Sequence, residues 1–170
     1  MSLTLRPLRA GDETQARAAH AELAAEGFEF LLDLGDRRFD DYLDLLERQR
    51  EGRDLAPGRV PATFLVAVVA DDLVGRVSLR HELNDRLARV GGHIGYAVRP
   101  GFRQRGHGTE ILRQALGRAA SLGLERALVT CDDMNTASAA VIEACGGVPD
   151  GVTLTAEGTR SRRYWIPTSP

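Results

Sequence analysis

The stretch Gly95-Tyr96-Ala97-Val98-Arg99-Pro100-Gly101-Phe102-Arg103-Gln104-Arg105-Gly106-His107-Gly108-Thr109 decides how this chain is read. A strand enters it, a glycine loop turns, and a helix leaves. The first amides of a helix have no intrahelical acceptor and carry the positive end of the dipole. Gly106 and Gly108 remove side chains at that point, so backbone N–H groups can approach a phosphate closely. Arg99, Arg103 and Arg105 add positive charge. The segment therefore suits a pyrophosphate, against the plainer reading of an ordinary surface loop. Two other phosphate motifs do not fit. The GxGxxG fingerprint needs a third glycine where Ile111 stands, and the Walker A loop needs a lysine that the chain lacks.

Outward from the loop, Ile111, Leu112, Ala115, Leu116 and Ala119 make the buried stripe of a helix over 107–122. The strand before the loop spans 92–99. Upstream, 64–70 and 73–80 read as a hairpin turning at Asp71-Asp72, and the polar segment 82–89 reads as a loop. Before them come a strand over 4–8, helices over 13–26 and 37–51, and a Gly/Pro loop over 52–61. The apolar stretch 28–34 fits no element. Downstream lie a strand over 126–131 and a short helix capped by Asn135 and stopped by Gly146-Gly147. A closing hairpin over 152–156 and 161–166 ends the pattern. The reading is one α+β domain over 1–170 with a strand-helix-strand crossover at its centre.

Composition narrows the function. The 170 residues, 43% hydrophobic and 27% charged, suit one globular domain that needs no metal or disulfide to hold a core. All 22 basic residues are arginine, which excludes Schiff-base chemistry on a lysine. The formal net charge of −2 gives no overall case for nucleic acid or an anionic membrane. Cys131 and Cys145 form no CxxC pair and the histidines do not complete a metal set, so no metal is expected and a reduced, cytoplasmic setting is. No signal peptide or membrane span is expected, since the longest apolar run, 64–70, is too short.

Arg103-x-x-Gly106-x-Gly108 matches the coenzyme A pyrophosphate loop of the GNAT superfamily of N-acetyltransferases, and the chain resembles that superfamily over nearly its whole length. The order of elements agrees, as do Asn135-x-x-Ser138, Glu143 and Gly146-Gly147. Residues 74–80, 91–96 and 163–166 further resemble a group of bacterial acetyltransferases of unassigned substrate. The resemblance implies a GNAT-type α+β fold: a mixed, mostly antiparallel sheet of six to seven strands, flanking helices, and a splay between strands 4 and 5. It implies acetyl-CoA as co-substrate, with the pantetheine arm on the backbone of Ala97 and Val98. The pyrophosphate would lie on the amides of Gln104, Arg105, Gly106, His107, Gly108 and Thr109. Arg103 or Arg105 would reach the 3′-phosphate or adenine side, and Asn135 with Ser138 would meet the pantetheine.

The implied reaction is direct attack of a neutral amine on the thioester, with loss of a proton and of the thiolate. Here the sequence departs from the family. Ile142 stands where a tyrosine commonly protonates the thiolate, and His93 where a glutamate commonly serves as base. His93 or Glu82 is the expected base, and His93 could equally be a buried histidine bonded to a neighbouring strand. Either the thiolate leaves unassisted or another residue protonates it; Tyr96 and Tyr164 are the candidates besides Tyr42, Tyr164 being the expected acid with a plain core aromatic as its other reading. Acidic residues Glu29, Asp33, Asp36, Asp40 and Asp41 hint at a cationic acceptor or form a solvated surface. The acceptor is expected to be a small-molecule or protein amine, and the resemblance implies a homodimer. The competing reading is a GNAT-fold module that binds acyl-CoA as a sensor or partner domain without turnover.

Overall fold

A computed structural model describes residues 2–169; Met1 and Pro170, the ends of the expected 1–170 domain, lie outside the described residues. One seven-stranded sheet runs in the order β1-β2-β3-β4-β5-β7-β6. Its strands are β1 (Leu3–Arg6), β2 (Ala62–Val69), β3 (Asp72–Arg80), β4 (Ile94–Val98), β5 (Arg126–Asp132), β6 (Val148–Leu154) and β7 (Arg160–Pro167). All neighbours are antiparallel except β4 and β5. That is the expected mixed sheet with a parallel pair at its centre.

Alternation along β2 assigns the two faces. Leu65 and Ala67 point to one core, with α4 (His107–Ser121) and α5 (Thr136–Ala144). Phe64 and Val66 point to the other, with α1 (Glu13–Ala24) and α2 (Phe39–Glu51). The irregular segment around Phe30 and Leu31 is not solvent loop: both side chains are fully buried and plug the second core.

Most boundaries shift by one or two residues, and three larger differences have a clear physical cause. The segment expected to be a loop over 82–89 holds a short helix, α3 (Asp85–Arg89), because Asn84 accepts the Leu87 N–H at 3.0 Å as an N-cap. β4 starts at Ile94 rather than residue 92, since Gly91 and Gly92 have φ of 107° and 61° and cannot lie in a strand. β6 starts at Val148, four residues early, with a register shift between Pro149 and Val152. As an edge strand it tolerates the proline.

Candidate active site

β4 and β5 touch at one place. Their ladder has the single pair Ile94↔Val129, whereas β3 and β4 share five pairs. Past Ile94 the two strands separate and leave a gap roofed by the starts of α4 and α5. Arg80 N–H bonds the His93 carbonyl at 2.7 Å and Arg99 N–H bonds that of Val74 at 2.9 Å. Antiparallel alternation then turns the backbone of Gly95 and Ala97 to β3, and that of Tyr96 and Val98 into the gap. Of the two backbone positions expected to carry the pantetheine, Val98 faces the gap and Ala97 does not; Tyr96 does instead.

The loop after β4 presents its amides. From residue 104 to residue 109 no backbone N–H has a hydrogen-bond partner among the described residues, and the helical pattern begins with Glu110 N–H on the Gly106 carbonyl at 3.1 Å. Gln104 (φ 60°) and Gly106 (φ 79°) are both left-handed, and such residues two apart turn successive N–H groups to one side. His107, Gly108 and Thr109 form the first turn of α4.

The arginines of this loop are not equivalent. Arg99 grips Glu22 with bonds of 2.9 and 2.6 Å, and Arg103 grips Glu26 at 3.0 and 2.6 Å while its Nε donates to the Val98 carbonyl at 3.1 Å. These bonds hold both carboxylates below their usual range. Arg105 makes no ion pair among the described residues and lies 5.7 Å from the Phe102 ring centroid. Of the three loop arginines it alone has no carboxylate partner among the described residues. Arg105→Ala is expected to weaken acetyl-CoA binding by about fivefold, less so at high salt. Arg103→Ala should act through the loop's anchoring to α1 and show little salt dependence. Titration calorimetry at two ionic strengths separates the two.

At the far wall, Asn135 caps α5 by accepting the Ser138 N–H with its Oδ1 at 3.0 Å. Its amide nitrogen makes no bond among the described residues. Ser138 Oγ lies 3.0 Å from Tyr96 Oη. Burial pushes the Tyr96 hydroxyl up to about 12, so it remains protonated at neutral pH. Tyr96 thus joins the floor of the gap to the start of α5, a link no local spacing signals.

The three expected catalytic residues do not converge. Tyr164 is buried in the core under α5 and donates to Glu143 Oε1 at 3.0 Å, across β5 from the gap. Glu82 is exposed past the end of β3, with no hydrogen bond or ion pair to another described residue. His93 is buried and its Nδ1 accepts the Leu128 N–H at 2.9 Å, while its own N–H bonds the Leu128 carbonyl at 2.7 Å. A neutral imidazole accepting at Nδ1 carries its proton on Nε2 and has no lone pair free for an amine proton. Of the acidic residues, Asp33 pairs with Arg59, and Asp40 and Asp41 occupy the first turn of α2, where carboxylates suit the dipole. Among the described residues no three His, Cys, Asp or Glu side chains group as metal ligands, and no helix is long and apolar enough to cross a membrane.

Comparison with known proteins follows this geometry. The family described as the acetyltransferase (GNAT) domain matches residues 2–148. No curated protein matches the chain in sequence. Among solved structures, Mycobacterium smegmatis RimJ in complex with CoA-disulfide is similar at 19% identity and TM-score 0.71, covering 97% of this chain and 81% of that one. The GNAT acetyltransferase from Streptococcus pneumoniae is similar at 16% identity and TM-score 0.68, over 98% and 99% of the two chains. The microcin C7 self-immunity acetyltransferase MccE, in complex with acetyl-CoA and AMP, is similar at 17% and 0.66, over 97% and 92%.

Proposed function

Since this chain belongs to the GNAT acetyltransferase domain family, we propose that it transfers the acetyl group of acetyl-CoA to an amine by direct attack. One observation carries the reading: a run of unpartnered amides over 104–109 at the mouth of the β4–β5 gap. The co-substrate supplies an activated thioester carbonyl. The gap-facing backbone of Val98 and Tyr96 would pair with its pantetheine arm, the amides of 104–109 and the Arg105 guanidinium would take its phosphates, and the Asn135 amide nitrogen would bond its arm. RimJ, with bound CoA-disulfide, and MccE, with acetyl-CoA and AMP, share the fold, which supports acetyl-CoA as the co-substrate.

The amine lone pair forms the C–N bond as the C–S bond breaks. The amine gives up one proton and the thiolate gains one. A β4 N–H pointing into the gap polarises the carbonyl as an oxyanion hole does. Tyr96 Oη, held by Ser138 and kept protonated by burial, would donate to the thiolate. No side chain is needed for the amine proton where the amine arrives neutral and water takes it.

Tyr96→Phe is expected to lower kcat about tenfold or more while leaving acetyl-CoA affinity near its original value. Tyr164→Phe should leave turnover unchanged at every pH and cost about 1 kcal/mol of stability through the lost bond to Glu143. A Tyr164→Phe enzyme that turns over poorly, beside a normal Tyr96→Phe enzyme, would exchange the two assignments. The reading as a whole is tested by incubating the protein with acetyl-CoA and a panel of amines and following thiol release. Tight acetyl-CoA binding with no thiol release on any amine would leave the chain a non-catalytic acyl-CoA-binding domain.

A further inference from the structure

On the α1/α2 face of the sheet a cleft opens between α2, the strands β2 and β3, and α3. Its water-accessible space is small, about 40 Å³, and Ser78 and Arg80 of β3 form part of its wall. Ser78 is the register partner of Gly95, so the cleft abuts the strand position next to the gap. Its ionisable lining is three arginines, Arg59, Arg80 and Arg86, against one acid, Asp33. Asp33 is already paired with Arg59 and accepts a bond from Gln49 Nε2 at 3.1 Å. Arg80 and Arg86 are left uncompensated.

Of the cations nearest β4, Arg76 is buried and Arg80 half-buried. Arg76 is 3% exposed and stacks 4.7 Å from the Phe28 ring centroid. Its Nη1 donates to the Gly95 carbonyl at 3.1 Å and its Nη2 to that of Glu29 at 3.0 Å; its Nε has no partner. Arg80 uses only Nη1, on the carbonyls of Gly91 (3.1 Å) and Gly92 (3.0 Å). Neither pairs with a carboxylate among the described residues, while exposed arginines such as Arg113 and Arg160 do. Both guanidinium groups come to within about 4 Å of where a side chain on Gly95 would begin. A sequestered cation facing only carbonyl dipoles is costly, and an anionic ligand offsets that cost. Burial accordingly lowers the pKa of Arg76 to about 10, which still leaves it charged at neutral pH.

We propose that the acceptor is a small amine bearing a carboxylate, as an amino acid does, with Arg80 and Arg86 holding the carboxylate and Arg76 sustaining the positive field beside Gly95. This rests on the acetyltransfer reading and specifies its second substrate. The acidic residues near α2 do not compete for that role, because Asp33 is neutralised by Arg59 and the helix charges of Asp40 and Asp41 suit their own dipole.

The test uses the product class on the CoA-loaded protein. N-acetylleucine and N-acetylphenylalanine are titrated calorimetrically beside their carboxamides, which keep shape and lose charge. The acids are expected to bind about tenfold or more tightly than the carboxamides, and Arg80→Gln should remove the difference. If Arg80→Gln fails to fold for want of its bonds to Gly91 and Gly92, Arg86→Gln, an exposed position, should narrow the difference instead. Equal affinity of acid and carboxamide, or binding of neither to CoA-loaded protein, overturns the proposal. A protein that does not take up CoA at all, seen in the preceding titration, overturns the acetyltransfer reading and this inference with it.

Discussion

Gly106→Val is expected to lower acetyl-CoA affinity about a hundredfold while the protein stays folded. Gly106 caps α4 at φ 79°, ψ −1°, a conformation that costs a side-chain-bearing residue about 1–3 kcal/mol and a β-branched one most. Valine has two ways to respond. If it keeps the left-handed conformation, its side chain enters space where no protein atom lies within 4 Å, beside the amides that would meet the phosphates. If φ turns negative, the N–H groups around it swing off their common direction. Either way at least two charge-assisted bonds are lost, about 1.5 kcal/mol each or more, which is about a hundredfold in affinity. The helix survives because its stripe from Ile111 to Ala119 is buried in the core independently of the loop. Calorimetry on a protein of unchanged circular dichroism reads the effect. Unchanged affinity in a folded variant removes the phosphate assignment from this loop.

Gly108 does not share this argument. Its φ is not positive, and a Cβ there would meet Val141, Tyr96 and Val98 at 3.5, 3.7 and 3.9 Å, ordinary contact distances. The two glycines read alike in the sequence, yet Gly106 is required by its left-handed backbone, whereas at Gly108 a Cβ finds ordinary contacts and only a larger side chain would press on Val141, Tyr96 and Val98.

That contrast shows where local pattern stops being informative. The strand-loop-helix unit and the buried stripe of α4 are local, set by periodicity and glycine placement within about fifteen residues, and they are legible. Which arginine is free is not. Arg103 and Arg105 are equivalent by spacing, and the difference lies in Glu26, 77 residues away, which claims Arg103. The hydroxyl at the gap is likewise set by Tyr96 meeting Ser138 across 42 residues. The helix over Asp85–Arg89 was written in Asn84 and Asp85 but is too short for periodicity to show. The cleft charges are invisible in a net charge of −2, because Arg59, Arg80 and Arg86 come from three different segments and meet only when the chain folds.

His93 is the sharpest case, since its identity suggests a base and its surroundings make it a staple. Gly92, at φ 61°, brings the chain so close to β5 that a Cβ there would lie 2.3 Å from the Leu128 carbonyl. The imidazole then accepts the Leu128 N–H where a strand carbonyl otherwise would, which holds β4 to β5 at the point where they begin to part. His93→Ala is expected to destabilise the fold by about 1–3 kcal/mol through the orphaned N–H. His93→Asn, whose Oδ1 can accept the same bond, should restore most of that stability and keep most of the activity. A base would behave otherwise: asparagine would be as inactive as alanine, about a hundredfold or more down near pH 7. Burial and the neighbouring Arg80 charge hold the folded His93 below its ordinary pKa. Near pH 6.5 and below, the unfolded chain takes up a proton there that the folded chain refuses. Stability should therefore be level above about pH 6.5 and fall as the pH drops through the lower, folded value. His81 is shifted in the same direction, so the quantity to measure is the unfolding free energy of the original protein minus that of His93→Asn, from pH 8 to pH 5. A difference that grows more negative toward acid fits the staple. A flat difference, with activity lost in both variants and unfolding unchanged, would return His93 to the role of base.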